Sequence, residues 1–208
     1  MFFVRLPYKK NTTFANCIFF DFIWNSVIFE NLRYKISHVL LRKKVAKIKR
    51  QKMLFDFASA KYVGVLCSPK NEIDAANLKE FLSYLTQKGI KYSVVGYFDE
   101  KKIPENFLYM KDIEFITRED LNFLFIPENP IVKKFIDEPF DMLVNCSLVD
   151  YFPINYVAHL SMAKCKVGIM RKDETCYDLM IDITKNPTTE YFLENLEKYL
   201  SNLRQSQT

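Results

Sequence analysis

Hydrophobic and polar positions follow two different periods along this chain, and the change from one to the other divides it. Tyr34, His38, Leu41, Val45 and Ile48 recur at intervals of four, three, four and three, which is the spacing of one helix face and predicts a helix over residues 31–52. Leu32, Ile36, Val39 and Leu40 add a second apolar stripe near its start, so this end is expected to pack against the remainder of the chain. The helix should fade around residues 53–58. Beyond it, residues 62–67 (YVGVLC) form a short β-rich run that ends at Ser68-Pro69. An amphipathic helix follows over 71–88, with Ile73, Ala76, Leu78, Phe81, Leu82 and Leu85 expected inward and Gly89 placed as a C-terminal cap. Residues 90–98 (IKYSVVGYF) read as a second strand, which completes a βαβ unit.

The middle of the chain is less periodic. Residues 113–116 read as a strand, 118–122 as a helical turn, 123–130 as loop or short strand and 131–137 as a helix. A second βαβ unit follows, with a buried strand at 141–146, a helix at 153–163 opened by a proline, and a strand at 166–170. An edge strand at 177–183 and a closing helix at 188–203, capped by Thr188 or Thr189, finish the chain. Alternating strands and helices predict an α/β fold, a three-layer, mostly parallel sheet of Rossmann-like or flavodoxin-like type preceded by a basic amphipathic helix. The expected organisation is an N-terminal extension over 1–28, the basic helix over 29–56 and a single α/β domain over 57–204.

Charge sharpens this division. The net charge of +5 hides an asymmetry, because residues 31–52 hold nine Lys or Arg and no acid. Removing the twelve basic and two acidic residues of the first 52 from totals of 30 and 25 leaves 18 basic against 23 acidic, so the domain itself is mildly acidic. A solvated helix face usually mixes signs, since Glu–Lys pairs four apart contribute about 0.2–0.5 kcal/mol each. Here Arg42, Lys43, Lys44, Lys47, Lys49, Arg50 and Lys52 repel one another without compensation, which points to a polyanionic partner: RNA, ribosomal RNA included, or an anionic membrane surface. A plain solvated face is the competing reading.

Other residue types exclude chemistry. Four glycines, Gly64, Gly89, Gly96 and Gly168, build neither GxGxxG nor GxxxxGK[ST], so the two common phosphate cradles are absent. Two histidines, His38 and His159, give no HExxH zinc site, and no metal or cofactor is implied. Five widely spaced cysteines suit reduced thiols in a cytoplasm better than a disulfide framework. Residues 14–24 resemble a signal peptide only until Asp21 interrupts them, and no apolar run reaches the length of a membrane span. The expected location is therefore the cytoplasm, or the periphery of the inner membrane. Ligands of open α/β sheets bind beyond the carboxyl ends of the strands, which selects Ser68 and Asn71 after the first strand and Asn145, Ser147 and Asp150 before the helix at 153. The alternative for these residues is turn and cap duty, with the Asp120-Leu121-Asn122 turn a weaker candidate of the same kind.

The segments NLRYKI with the basic helix behind it, KYVGVL, VVGYF, ITREDLN, FDMLVNCS, PINYVAHLSMAKCKVG and YDLMIDI together resemble a domain-of-unknown-function family of Bacteroidota proteins, over residues 29–203. The resemblance implies a recurrent cytoplasmic α/β protein whose basic leader belongs to the architecture, and it brings no activity with it. Residues 1–28 fall outside it, and the expectation is that translation starts near Val27 from a non-ATG codon. Function is thus expected to be binding rather than catalysis, through the basic helix. The alternative is an enzyme with a Rossmann-like nucleotide or nucleotide-sugar site, similar to half of a glycosyltransferase, using the loop at 145–150.

Overall fold

The computed structural model describes the backbone of residues 13–205 apart from 54, 173 and 174, and the side chains of residues 29–200 with the same exceptions. Helix α1 (Thr13–Val45) leads into strand β1 (Tyr62–Cys67), helix α2 (Glu72–Gln87) and strand β2 (Lys91–Tyr97). Strand β3 (Glu114–Ile116), helix α3 (Pro130–Asp137), strand β4 (Met142–Asn145) and helix α4 (Phe152–Leu160) come next, then β5 (Cys165–Ile169), β6 (Leu179–Ile181) and α5 (Thr189–Gln205). Two 3-10 turns, Glu105–Phe107 and Arg118–Asp120, flank β3. Residues 1–12 lie outside the described set and 13–28 are described by backbone alone. The expected start near Val27 and the signal-like run at 14–24 both fall there.

The six strands form one sheet in the order β3-β2-β1-β4-β5-β6, and every neighbouring pair is parallel. This is the Rossmann-type order rather than the flavodoxin-type one, with the winding direction reversing between β1 and β4. Strand alternation assigns the two faces. Val63, Val65, Met142, Val144, Cys165 and Val167 pack with α2 and α5 on one side, while Leu66, Val95, Tyr97 and Leu143 pack with α3 and α4 on the other. Three strand glycines face aromatic rings of their neighbours. A Cβ at Gly64 would sit 2.8 Å from the Phe140 ring, at Gly96 2.4 Å from Phe115, and at Gly168 2.7 Å from Tyr177.

Helix α2 is capped as its residues suggest. Asn71 Oδ1 accepts from Asp74 N at 2.8 Å, and Gly89 turns the chain out of the helix at φ +71°. Its buried face is rotated from the expected one, however, because Ile73 and Ala76 are exposed while Asp74 and Ala75 are buried. The cause is polar: Asp74 accepts from Lys70 N at 3.1 Å and from Thr189 Oγ1 at 3.1 Å, tying α2 to the start of α5.

Helix α1 lies outside α4 as a partial fourth layer, where Leu41 packs with Ile126, Phe152 and Tyr156. The expected helix over 31–52 is corrected at its end. It stops at Val45, and residues 48–53 run on without helical structure. The first half of 31–52 does pack on the domain, yet only Leu40 of the stripe read from the sequence takes part. Leu32, Ile36 and Val39 remain exposed, and the docked face is built from Arg33, Ser37, Leu41 and the half-buried Leu40.

Candidate functional site: a cationic cleft beside the leader helix

Polar anchors hold α1 in place. Ser37, fully buried, donates through Oγ to Leu124 O at 2.6 Å and to Arg33 O at 2.7 Å. Arg33 Nε donates to Phe123 O at 2.6 Å, and its guanidinium lies 4.1 Å from the Phe123 ring centre and 4.4 Å from that of Phe125. Lys44 Nζ donates to Tyr156 OH at 2.6 Å. After the helix ends, Arg50 fastens the chain again. It gives Asp178 two bonds, at 2.5 and 2.7 Å, and reaches Ala163 O and Lys164 O at 3.1 and 3.2 Å. Only 9% of the Arg50 side chain and 12% of that of Asp178 are exposed.

The seven cations read as a polyanion surface therefore separate into groups. Arg42, Lys43, Lys47 and Lys49 are exposed and make no ion pair among the described residues. Lys44 is exposed but tethered to Tyr156, and Lys52, 72% exposed, stands 3.3 Å from Asp178. Arg50 is a correction: its charge is consumed by Asp178, so it holds the segment down rather than facing a partner.

Between α1, residues 46–52, α4 and the β5–β6 connection lies a cleft of about 740 Å³. Arg42, Lys49 and Lys52 line it from the leader, and Lys166, Arg171 and Lys172 from the domain, with Asp150 as the one acid among the described residues. Lys166 comes from β5, on the sheet face that α4 covers, and is 3% exposed. Its Nζ donates to Ala158 O at 2.7 Å and His159 O at 3.0 Å, satisfying carbonyls at the end of α4, and burial lowers its pKa to about 8. His38 lines the cleft too, and its Nε2 is buried without a hydrogen-bond partner. Burial, then the positive charge of Arg42, lowers its pKa, and Asp150 opposes them.

The residues chosen at the strand ends are largely occupied with the fold. Ser68 Oγ donates to Tyr97 O at 2.9 Å, and Asn71 caps α2. Asn145 gives Nδ2 to Tyr177 OH at 2.6 Å and accepts from Ser147 N at 3.0 Å. Asp150 accepts from Asn155 Nδ2. Ser147 is buried, its carbonyl accepts from Arg171 Nη2 at 2.6 Å, and its Oγ has no partner. In the weaker turn, Asp120 accepts from Thr117 N and Asn129 Nδ2, and Asn122 Nδ2 donates to Glu128. Of the whole set only Asp150 reaches the cleft. Arg171, Lys172 and Lys166 had no signal in the sequence beyond being basic, because the residues that bring them together are distant along the chain.

Fold and site together define a doubly wound, all-parallel α/β protein whose leader helix encloses a cationic cleft against the sheet's second half. The chain belongs to the family of unknown function DUF6913, whose model matches residues 33–203. No curated protein matches it. A solved structure with a partly similar fold is an exopolyphosphatase-related protein from Bacteroides fragilis, at 16% identity and a TM-score of 0.47 over 69% of this chain and 41% of that one. The chain thus spans about 41% of the length of that protein, and the likeness bears on neither activity nor ligand. Among the described residues, no helix is long and apolar enough to cross a membrane, and no group of side chains is arranged to hold a metal ion.

Proposed function

We propose that this protein binds the phosphate backbone of RNA in the cleft between the leader and the domain. The observation that carries this reading is the convergence of Arg42, Lys49, Lys52, Arg171 and Lys172 on one concavity of about 740 Å³, where Asp150 is the one facing carboxylate among the described residues. Their charges repel one another, and a row of phosphates relieves that repulsion while releasing counterions. Concavity favours a strand over a flat lipid headgroup plane, which would meet the outward cations Lys43 and Lys47 outside the cleft. The reading places the protein in the cytoplasm, ribosomal RNA being one candidate. The alternative of a nucleotide-sugar enzyme draws less support, since Asn145, Ser68 and Asn71 already spend their polar groups on the fold.

Binding of a short labelled single-stranded RNA, followed by fluorescence anisotropy, tests the proposal. Five phosphate contacts give a slope of log K against log salt of about −3.5, so affinity drops roughly 100-fold between 50 and 200 mM salt. The triple substitution Arg42→Glu, Lys49→Glu and Arg171→Glu should abolish binding. Association with phosphatidylserine vesicles in the absence of RNA binding would replace this reading with a membrane-surface one.

A further inference from the structure

A second cavity, of about 530 Å³, adjoins the cleft nearer the N-terminal end of α1, beyond the carboxyl ends of β2 and β4. That volume is in the range of about 300–1,000 Å³ typical of small-molecule sites, and its place is where open α/β sheets hold ligands. Its walls are aromatic. Tyr34 roofs it from α1, Tyr151 stands edge-on to Tyr97 with ring centres 5.1 Å apart, and Phe123 keeps 60% of its surface exposed beside the Arg33 guanidinium. Arg118 is held by Asp99 through bonds of 2.7 and 2.8 Å, and Tyr97 OH donates to the same carboxylate at 2.9 Å.

The two cavities differ in charge as the two halves of a nucleotide differ. Among the described residues the cleft has one carboxylate beside its cations, whereas the second cavity has three, Glu30, Asp99 and Asp150, against Arg33 and Arg118. A phosphate is suited to the first and a neutral, flat, hydrogen-bonding ring to the second. They are also neighbours. Asp150 lines both, and on α1 the cleft residue His38 lies one turn from the cavity residue Tyr34, ring centres 4.5 Å apart. One helical turn is about 5.4 Å, within the reach of a single nucleotide from backbone to base.

We propose that this aromatic cavity receives an unstacked base of a single-stranded RNA whose backbone lies in the cationic cleft. The inference rests on the backbone reading and names the substrate class for it. Stacking on Tyr34, Tyr151 or Phe123 supplies binding that a duplex cannot claim, because its bases are paired and stacked already. Asp150 makes no ion pair among the described residues, and its carboxylate accepts from base amino groups, so adenine, cytosine or guanine is favoured over uracil.

The test compares a mixed-sequence single strand, oligouridylate and an RNA duplex of equal length against the wild-type protein, Tyr34→Ala, Phe123→Ala and Asp150→Asn. Phe123→Ala guards against misfolding, since that side chain is mostly exposed. The wild type should bind the mixed single strand at least about tenfold tighter than the duplex, and Tyr34→Ala or Phe123→Ala should remove about tenfold of single-strand affinity. Both variants should leave the salt slope and duplex binding unchanged. Asp150→Asn should narrow the preference over oligouridylate. Equal losses for duplex and single strand, or aromatic variants that bind as the wild type does, would overturn the base pocket while leaving the backbone reading intact. Loss of neither RNA with the charge-reversed triple variant would overturn both.

Discussion

Replacing Arg50 with Met removes the clasp that fixes the leader segment to the sheet edge. The substitution deletes two bonds to Asp178 and two to the carbonyls of residues 163 and 164, and it leaves Asp178 12% exposed with Lys166 N and the solvent-facing Lys52 as remaining partners. Removing one partner of a buried pair costs about 3–5 kcal/mol. Lys52 partly neutralises the abandoned carboxylate, so the lower end, about 3 kcal/mol, applies. For a chain of this size each kcal/mol shifts the melting midpoint by about 2–4 °C, which gives a fall of roughly 6–12 °C at neutral pH by circular dichroism. Burial alone would raise the Asp178 carboxyl, but hydrogen bonds from Arg50 and Lys166 N outweigh it and hold the pKa below the ordinary 3.8. Stability from that group is therefore present above about pH 4 and lost as pH falls through the folded-state value, so the gap between wild type and variant should close in acid. Adding Asp178→Asn to Arg50→Met should recover part of the loss, because the unpaired charge goes while an acceptor for Lys166 N stays. A midpoint for Arg50→Met within about 1 °C of the wild type would refute the assignment of Arg50 to the fold.

Three further outcomes follow from the same geometry. His38, whose folded pKa lies below 6.5, binds fewer protons in the folded state than in the unfolded chain, so stability should fall as pH drops below about 6.5, and His38→Gln should flatten that dependence in melts between pH 7.5 and 5. Gly168→Ala forces a Cβ to within 2.7 Å of the Tyr177 ring and should cost about 1–3 kcal/mol in urea denaturation, with a smaller loss for Gly89→Asn, where nothing lies within 4 Å and the positive φ of +71° is the strain that remains. Ser37→Ala leaves Leu124 O without its buried donor and should cost about 1–3 kcal/mol, raising hydrogen exchange in residues 33–45 before the sheet loosens.

Much of the α/β layout was legible, because its elements are signalled locally. The run at 62–67 is β1 residue for residue, Asn71 and Gly89 bracket α2, and Pro153 lies in the first turn of α4. The missing phosphate-loop glycines were legible for the same reason. What failed was set by distant partners. Ile48 continues the helical spacing, yet Arg50 is drawn into a pair with a residue 128 positions away, so the chain leaves the helix at Val45. Hydrophobic period could not show that Asp74, rather than Ile73, faces inward, since Asp74 is held there by Thr189. Lys166 opens the strand expected at 166–170, and nothing local signals that its side chain is buried against the end of α4. The candidate site suffers most from this, because its cations come from the leader, β5 and the connection after it.

Photo-crosslinking of a single-stranded RNA containing thio-modified bases, with the linked peptides identified by mass spectrometry, tests the location of binding most directly. Adducts are expected on peptides carrying Tyr34, Phe123 or Tyr151, and on the leader around Lys49. Adducts confined to the opposite face, where Glu80, Glu194 and Glu197 surround the groove between α2 and α5, would contradict it.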